Sequence, residues 1–219
     1  MAIPNVYEAM STLRAVRRLK SDPIPTDVLG RVLQAAAWAP TGGNAQPWRI
    51  VLVTDPKPKQ QLGALYSQSW KNFAEGYAAR LANLPEADRA REARTLAAAN
   101  HLGDHFGEAP AIAIFCFNPN FMAITDSKLD RVSVVGGGSV YTAVQNLMLA
   151  CRAEGLGCVL TTLLCEHEPK VREILRIPET WGTAAAIPIG YPSSKGHGAI
   201  RRRTPQQLVY VDQWGRAFE

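Results

Sequence analysis

Ala39-Pro40-Thr41-Gly42-Gly43-Asn44-Ala45-Gln46-Pro47-Trp48 parts an amphipathic helical pattern from the apolar run Arg49-Ile50-Val51-Leu52-Val53-Thr54. Two adjacent glycines admit positive φ, or let a ligand lie close to the backbone. Asn44 and Gln46 each add an amide donor and a carbonyl acceptor. Pro47 bars Gln46 from the helical region. Two readings fit the stretch: a helix-to-strand connector made of ordinary turn residues, or a polar loop that a rigid scaffold presents to a ligand.

Upstream, residues 5–16 read as a helix, with Val6, Met10, Leu13 and Val16 at three- and four-residue steps. Pro23 and Pro25 end it, and Thr26 reads as the cap of a second helix striped by Val28, Leu29, Val32, Leu33 and Ala36. Downstream, residues 59–106 read as helical, with Pro85 suited to a helix start. Within them 67–106 form an excursion carrying an aromatic stripe of Trp70, Phe73 and Tyr77 and then a stretch dense in Ala, Arg and Glu. Such mixed charge suits a solvated face; the alternative is a lid whose aromatics meet a substrate.

Ala111-Ile112-Ala113-Ile114-Phe115-Cys116-Phe117 is unbroken apolar sequence, the mark of a strand covered on both faces. Gly136-Gly137-Gly138 leads into a helix from Ser139 to about Glu154, closed by Gly155-Leu156-Gly157. A strand over Cys158–Thr162, a short helix from Pro169 to Leu175 and a last core strand over Ala184–Gly190 follow. The tail from His197 is basic and then amphipathic, ending in Val209, Val211, Trp214 and Phe218. Residues 197–219 therefore read as an arm that needs a surface to lie on, most simply a second subunit.

The 219 residues, 47% of them hydrophobic, suffice for one substantial core, and 1–219 read as a single domain. The first twenty residues hold Glu8 and four basic side chains but no apolar leader segment. No run approaches the ~20 apolar residues of a membrane span. Cys116, Cys151, Cys158 and Cys165 sit in apolar segments without metal spacing and read as buried free thiols. The expectation is a soluble, cytoplasmic protein. The net charge of +5 invites a nucleic-acid partner, but the cations concentrate at Arg14, Arg17, Arg18 and Lys20 and again at Arg201, Arg202 and Arg203. Neither cluster is interleaved with aromatics as a single-strand binder requires.

Gly136-Gly137-Gly138-Ser139-Val140-Tyr141 lacks the last glycine of a dinucleotide fingerprint and the lysine of a P-loop. His101 and His105 stand four apart without a third ligand or catalytic Glu, and Ser69 and Ser139 lack nucleophile-elbow glycines. Chemistry then falls to a bound cofactor rather than to a metal or a protein nucleophile. Arg14 and Arg17 with Arg201 and Arg203 suit the bidentate grip of a phosphomonoester if the chain's ends meet; otherwise each cluster is an arginine-rich surface turn.

Five segments in order make the chain resemble the nitroreductase-like flavoproteins. They are Arg14-Ala15-Val16-Arg17-Arg18-Leu19-Lys20-Ser21-Asp22-Pro23-Ile24-Pro25, Ala39 to Trp48, Gln145 to Ala150 with Gly155-Leu156-Gly157, Ile187 to Pro192, and Arg201-Arg202-Arg203-Thr204-Pro205. The resemblance implies an α+β three-layer sandwich, with a mixed central sheet flanked by helices, in an intertwined homodimer. It implies FMN at the subunit interface and NADH or NADPH as reductant. The reaction implied is ping-pong hydride transfer through flavin N5 to a nitroaromatic, quinone or activated alkene. An FMN-sequestering protein, or dehalogenation or flavin cleavage on the same fold, are the rivals.

Carried over by position, Arg14, Arg17 and Arg18 come from the N-terminal motif, with Arg17 near the ring's N1–C2 carbonyl side. Pro40, Thr41, Gly42 and Asn44 line the ring, Thr161 and Thr162 set backbone against its N5 edge, and Arg201 and Arg203 hold the phosphate. Leu13 and Ala15 depart from the family's Arg and Ser, which shifts the expected grip toward the tail. An amide is expected at the pyrimidine edge, with Gln68, Asn72 and Asn100 as candidates.

Overall fold

The run Ala111–Phe117 is a strand between the same limits, and its side chains alternate between two layers. Ala111, Ala113 and Phe115 enter one core, while Ile112, Ile114 and Cys116 enter another. That is the two-residue period a strand imposes. A computed structural model of the chain describes residues 4–218, so Met1–Ile3 of the expected domain and Glu219 of the expected arm lie outside it.

In chain order the helices and strands are α1 (Val6–Thr12), α2 (Thr26–Ala37), β1 (Trp48–Val53), α3 (Pro56–Ala82), α4 (Glu86–His105) and β2 (Ala111–Phe117). There follow α5 (Gly138–Ala153), β3 (Gly157–Cys158), α6 (Glu168–Leu175) and β4 (Gly182–Gly190). The sheet runs β1-β2-β4-β3 with each neighbouring pair antiparallel. Trp48 faces Phe117 at one end of the β1–β2 ladder, and Ala111 faces Ile189 across β2–β4. Among the described residues the sheet is mixed only through an isolated parallel bridge between Ala15 and Cys158.

Leu29, Val32 and Ala36 of α2 and Val144, Leu147 and Cys151 of α5 cover one face of the sheet. Leu62 and Tyr66 of α3, Leu102 of α4, Phe106 and Val171 of α6 cover the other. The result is a three-layer helix–sheet–helix sandwich. Each fully buried Leu, Ile or Phe in these layers contributes about 1.5–3 kcal/mol through burial.

Three local expectations give way. The first helix ends at Thr12 rather than residue 16, because the chain then runs extended along the sheet edge. There the Val16 amide donates to the Cys158 carbonyl at 2.9 Å and the Lys20 amide to the Tyr191 carbonyl at 2.8 Å. Thr26 does not cap α2; it is the first helical residue, behind Pro25, and the cap makes no side-chain hydrogen bond. The strand expected over Cys158–Thr162 is interrupted after Cys158, and Thr161 rejoins the sheet through mutual bonds with Ala186.

Candidate functional site

The N-terminal segment and the tail run side by side. The Gly198 amide donates to the Thr12 carbonyl at 3.1 Å and the Ile200 amide to the Ser11 carbonyl at 3.2 Å. Arg14 and Arg17 thereby line one cleft with Arg201 and Arg202, a cleft of about 960 Å³ within a single chain. The two basic ends meet without help from a second subunit. Arg203 is exposed and does not line the cleft. Arg18 also lies outside it; its carbonyl accepts from the Ser193 amide at 3.0 Å.

The opposite wall is α4, which presents Asp88, Arg91, Arg94, Thr95 and Ala98. Arg91 is held by Asp88 at 2.9 Å and Glu92 at 3.3 Å. In sequence this stretch suits solvated mixed charge or a lid, and composition alone does not single out Arg91, Arg94 or Arg202 as site residues. The spacing of 91, 94, 95 and 98 along one helical face was the available signal.

Arg17 and Thr95 also line a second, apolar cavity of about 300 Å³. Trp70, Phe73 and Tyr77 stand there with Thr161 and Thr162, so the aromatic stripe and the threonine pair are brought together. The Trp70 and Phe73 rings lie 5.7 Å apart, and the Tyr77 hydroxyl donates to Glu92 at 2.6 Å. Tyr66 joins this lining from the core side. Burial raises its phenol pKa, while the Thr161 side chain and Arg17 oppose the rise. Of the candidate amides, Asn100 accepts from the Trp70 indole at 3.0 Å, Gln68 and Asn72 are exposed, and none of the three lines either cavity.

The loop of Pro40, Thr41, Gly42 and Asn44 lines neither cavity. It is a built feature all the same. Gly43, Asn44 and Gln46 have φ of 58°, 57° and 48°, and two non-glycine residues in the left-handed region mark stored strain. The Gln46 amide donates to Thr41 Oγ1 at 3.0 Å, and Gln46 Nε2 donates to Asn44 Oδ1 at 3.1 Å. Ser139 and Thr142 of α5 anchor the loop through the Gly42 amide and the Pro40 carbonyl, both at 3.3 Å.

The donor set fits a flavin mononucleotide. Guanidinium groups from both termini suit its phosphate, and an apolar, aromatic-lined cavity sharing Arg17 suits the neighbourhood of its ring. Among the described residues no group of three or more His, Cys, Asp or Glu is placed to hold a metal ion. His105 Nδ1 instead pairs with Glu108 at 2.9 Å. The four cysteines are free; Cys116, Cys151 and Cys158 are buried and Cys165 is partly so. No helix among the described residues is long and apolar enough to cross a membrane.

The sequence model of the Nitroreductase family matches residues 12–191. Iodotyrosine deiodinase 1 of Rattus norvegicus is 28% identical over 207 residues, covering 93% of this chain and 68% of that protein. An NADH dehydrogenase of Thermus thermophilus is 31% identical over 189 residues, covering 86% of this chain and 87% of that protein. Among solved structures, an oxidised iodotyrosine deiodinase bound to FMN and 3-iodo-L-tyrosine superposes with a TM-score of 0.68 at 24% identity, over 95% of this chain and 98% of that one.

Proposed function

The chain belongs to the nitroreductase family, and from that premise we propose an FMN-dependent oxidoreductase in which a hydride passes from NADH or NADPH through flavin N5 to a nitroaromatic, quinone or activated alkene, in ping-pong order. One observation carries the reading: arginines from both ends of the chain surround a cleft that shares Arg17 and Thr95 with an aromatic cavity. Arg14 and Arg201 hold the phosphate, Arg17 stands between the two cavities on the ring's N1–C2 side, and Arg202 takes the part that the family resemblance assigns to Arg203. Thr161 and Thr162 set backbone beside the ring, while Trp70, Phe73 and Tyr77 exclude water from the acceptor side. The protein contributes placement and fixed charge, which need no side-chain acid or base.

Pro40, Thr41, Gly42 and Asn44 enter this scheme from a second copy of the chain. Pro40, Gly42 and Asn44 are exposed and none of the four lines the cleft, which favours that assignment. So does an arm whose Leu208, Tyr210, Trp214 and Phe218 are uncovered in one chain. The functional unit is then a homodimer with two composite sites.

The visible spectrum of the purified protein, before and after anaerobic NADH or NADPH, tests the proposal. A flavin band that bleaches with reductant and returns with a nitroaromatic is expected. A colourless protein defeats the cofactor assignment, and a band that no reductant bleaches leaves only flavin sequestration. Reductive dehalogenation is the second reading, favoured by the likeness to the rat deiodinase over 93% of this chain. Iodide release from 3-iodo-L-tyrosine in the same reduced sample tests it.

A further inference from the structure

We propose that Arg91 and Arg94 of α4 form a subsite for a second anionic group, a carboxylate or phosphate, on the molecule that exchanges hydride at the site; the inference rests on the flavin reading above. Six arginines line the large cleft: Arg14, Arg17, Arg91, Arg94, Arg201 and Arg202. Among the described residues five of them make no ion pair, and Arg91 alone is matched, by Asp88 and Glu92. A phosphomonoester brings about −1.5 to −2 charges at neutral pH. Five unmatched guanidinium groups exceed that by roughly three, and like charges gathered in one concavity repel one another until further anion arrives.

The surplus has a definite place. Arg14, Arg17, Arg201 and Arg202 come from the two termini that the backbone bonds of Thr12 and Ser11 clamp together. Arg91 and Arg94 come from the facing helix. That helix leads from the cleft to the aromatic cavity, since Arg94, Thr95 and Ala98 line the first while Thr95, Ala99 and Leu102 line the second. One helical turn is ~5.4 Å, so a ring lodged among Trp70, Phe73 and Tyr77 has an arginine about one turn away for a charged substituent. The two arginines are also prepared differently. Asp88 and Glu92 fix Arg91 in place, while Arg94 is left unpaired to meet a ligand.

The bearer of the anion is either the acceptor or the 2′-phosphate of NADPH, and two arms separate them. In the holoenzyme, kcat/KM for 4-nitrobenzoate is divided by that for nitrobenzene, and kcat/KM for NADPH is divided by that for NADH. Ratios cancel any general loss in a variant. Benzoate, which is not reduced, is titrated against the flavin spectrum as an equilibrium readout.

Arg94→Ala is expected to lower one of the two ratios tenfold to a hundredfold, the range set by one charge-assisted hydrogen bond. Arg94→Lys restores much of it, and Arg91→Ala acts in the same direction. Loss confined to nitrobenzoate, with weaker benzoate binding, places the anion on the acceptor; loss confined to NADPH places it on the dinucleotide. A yellow, folded Arg94→Ala protein with both ratios and benzoate affinity unchanged overturns the subsite alone. A colourless wild type overturns the reading beneath it as well.

Discussion

Gly157 lies where β3 passes beneath the segment that carries Arg14 and Arg17. A methyl group at its Cα would stand 2.6 Å from Val16 Cγ1 and 3.1 Å from Leu19 Cδ2, both attached to that segment. Val16 is itself buried and has no open side to move toward. Gly157→Ala is therefore expected to cost about 1–3 kcal/mol through overpacking, read as a lower urea midpoint. Because Arg14 and Arg17 ride on the displaced backbone, FMN affinity should fall with it; a variant as stable and as tightly loaded as wild type refutes the linkage. His197 secures the other wall. Its Nε2–H donates to the Leu156 carbonyl at 2.8 Å, while Nδ1 is buried without a partner. Burial, opposed by the Leu156 bond and reinforced by Arg152, holds its pKa below the ordinary 6.5. The folded state thus favours the neutral ring, so this stabilisation is complete above pH 6.5 and lost as pH falls through the depressed folded value. Urea midpoints measured on either side of pH 6.5 should show a larger loss in wild type than in His197→Gln, where His101, also depressed by burial, still contributes.

The hairpin of α3 and α4 divides into two parts. Near the sheet, Leu62, Tyr66 and Leu102 are buried, and Tyr66 stacks on Phe106 at 4.2 Å. From Lys71 to Ala98 no described side chain is buried, and the two helices are joined there chiefly by the Tyr77–Glu92 bond. Few buried contacts mean a low local opening free energy. Limited trypsin is expected to cut first at Arg80, Arg89, Arg91 or Arg94, and more slowly once FMN and benzoate fill the site; first cleavage outside this hairpin, or no protection, counts against a lid. The same hairpin shows what a sequence discloses. The limits of β2 were legible because burial on both faces leaves an unbroken apolar run. That Arg14, Arg17 and Arg201 gather at one cleft was legible because the sequence concentrates its cations near the two ends of the chain. The end of α1 was not, since what stops it is a bond to Cys158, well over a hundred residues away. Arg91 and Arg94 were hidden for a different reason: alternating charge on a helix looks the same whether it faces water or a ligand.

A single chain leaves much of its apolar surface uncovered and its candidate site in two pieces. Trp214 is 91% exposed and Val132 85% exposed, with Tyr7, Trp38 and Val134 also open. Exposed aromatics in that number suit a partner's surface, and the strained Asn44 loop lines neither the arginine cleft nor the aromatic cavity of its own chain. If each site takes its arginines from one chain and its loop from the other, two different defects compensate in a mixed dimer. Arg14→Ala and Asn44→Ala homodimers should each bind FMN weakly, by separate routes. Their hybrid has one site carrying both lesions and one site carrying neither, so it should hold about one flavin per dimer at wild-type affinity. Differently tagged chains, purified through both tags and titrated with FMN, give the answer. Two equally weak sites in the hybrid would mean that arginine and loop serve the flavin from within one chain, and the composite arrangement would be lost.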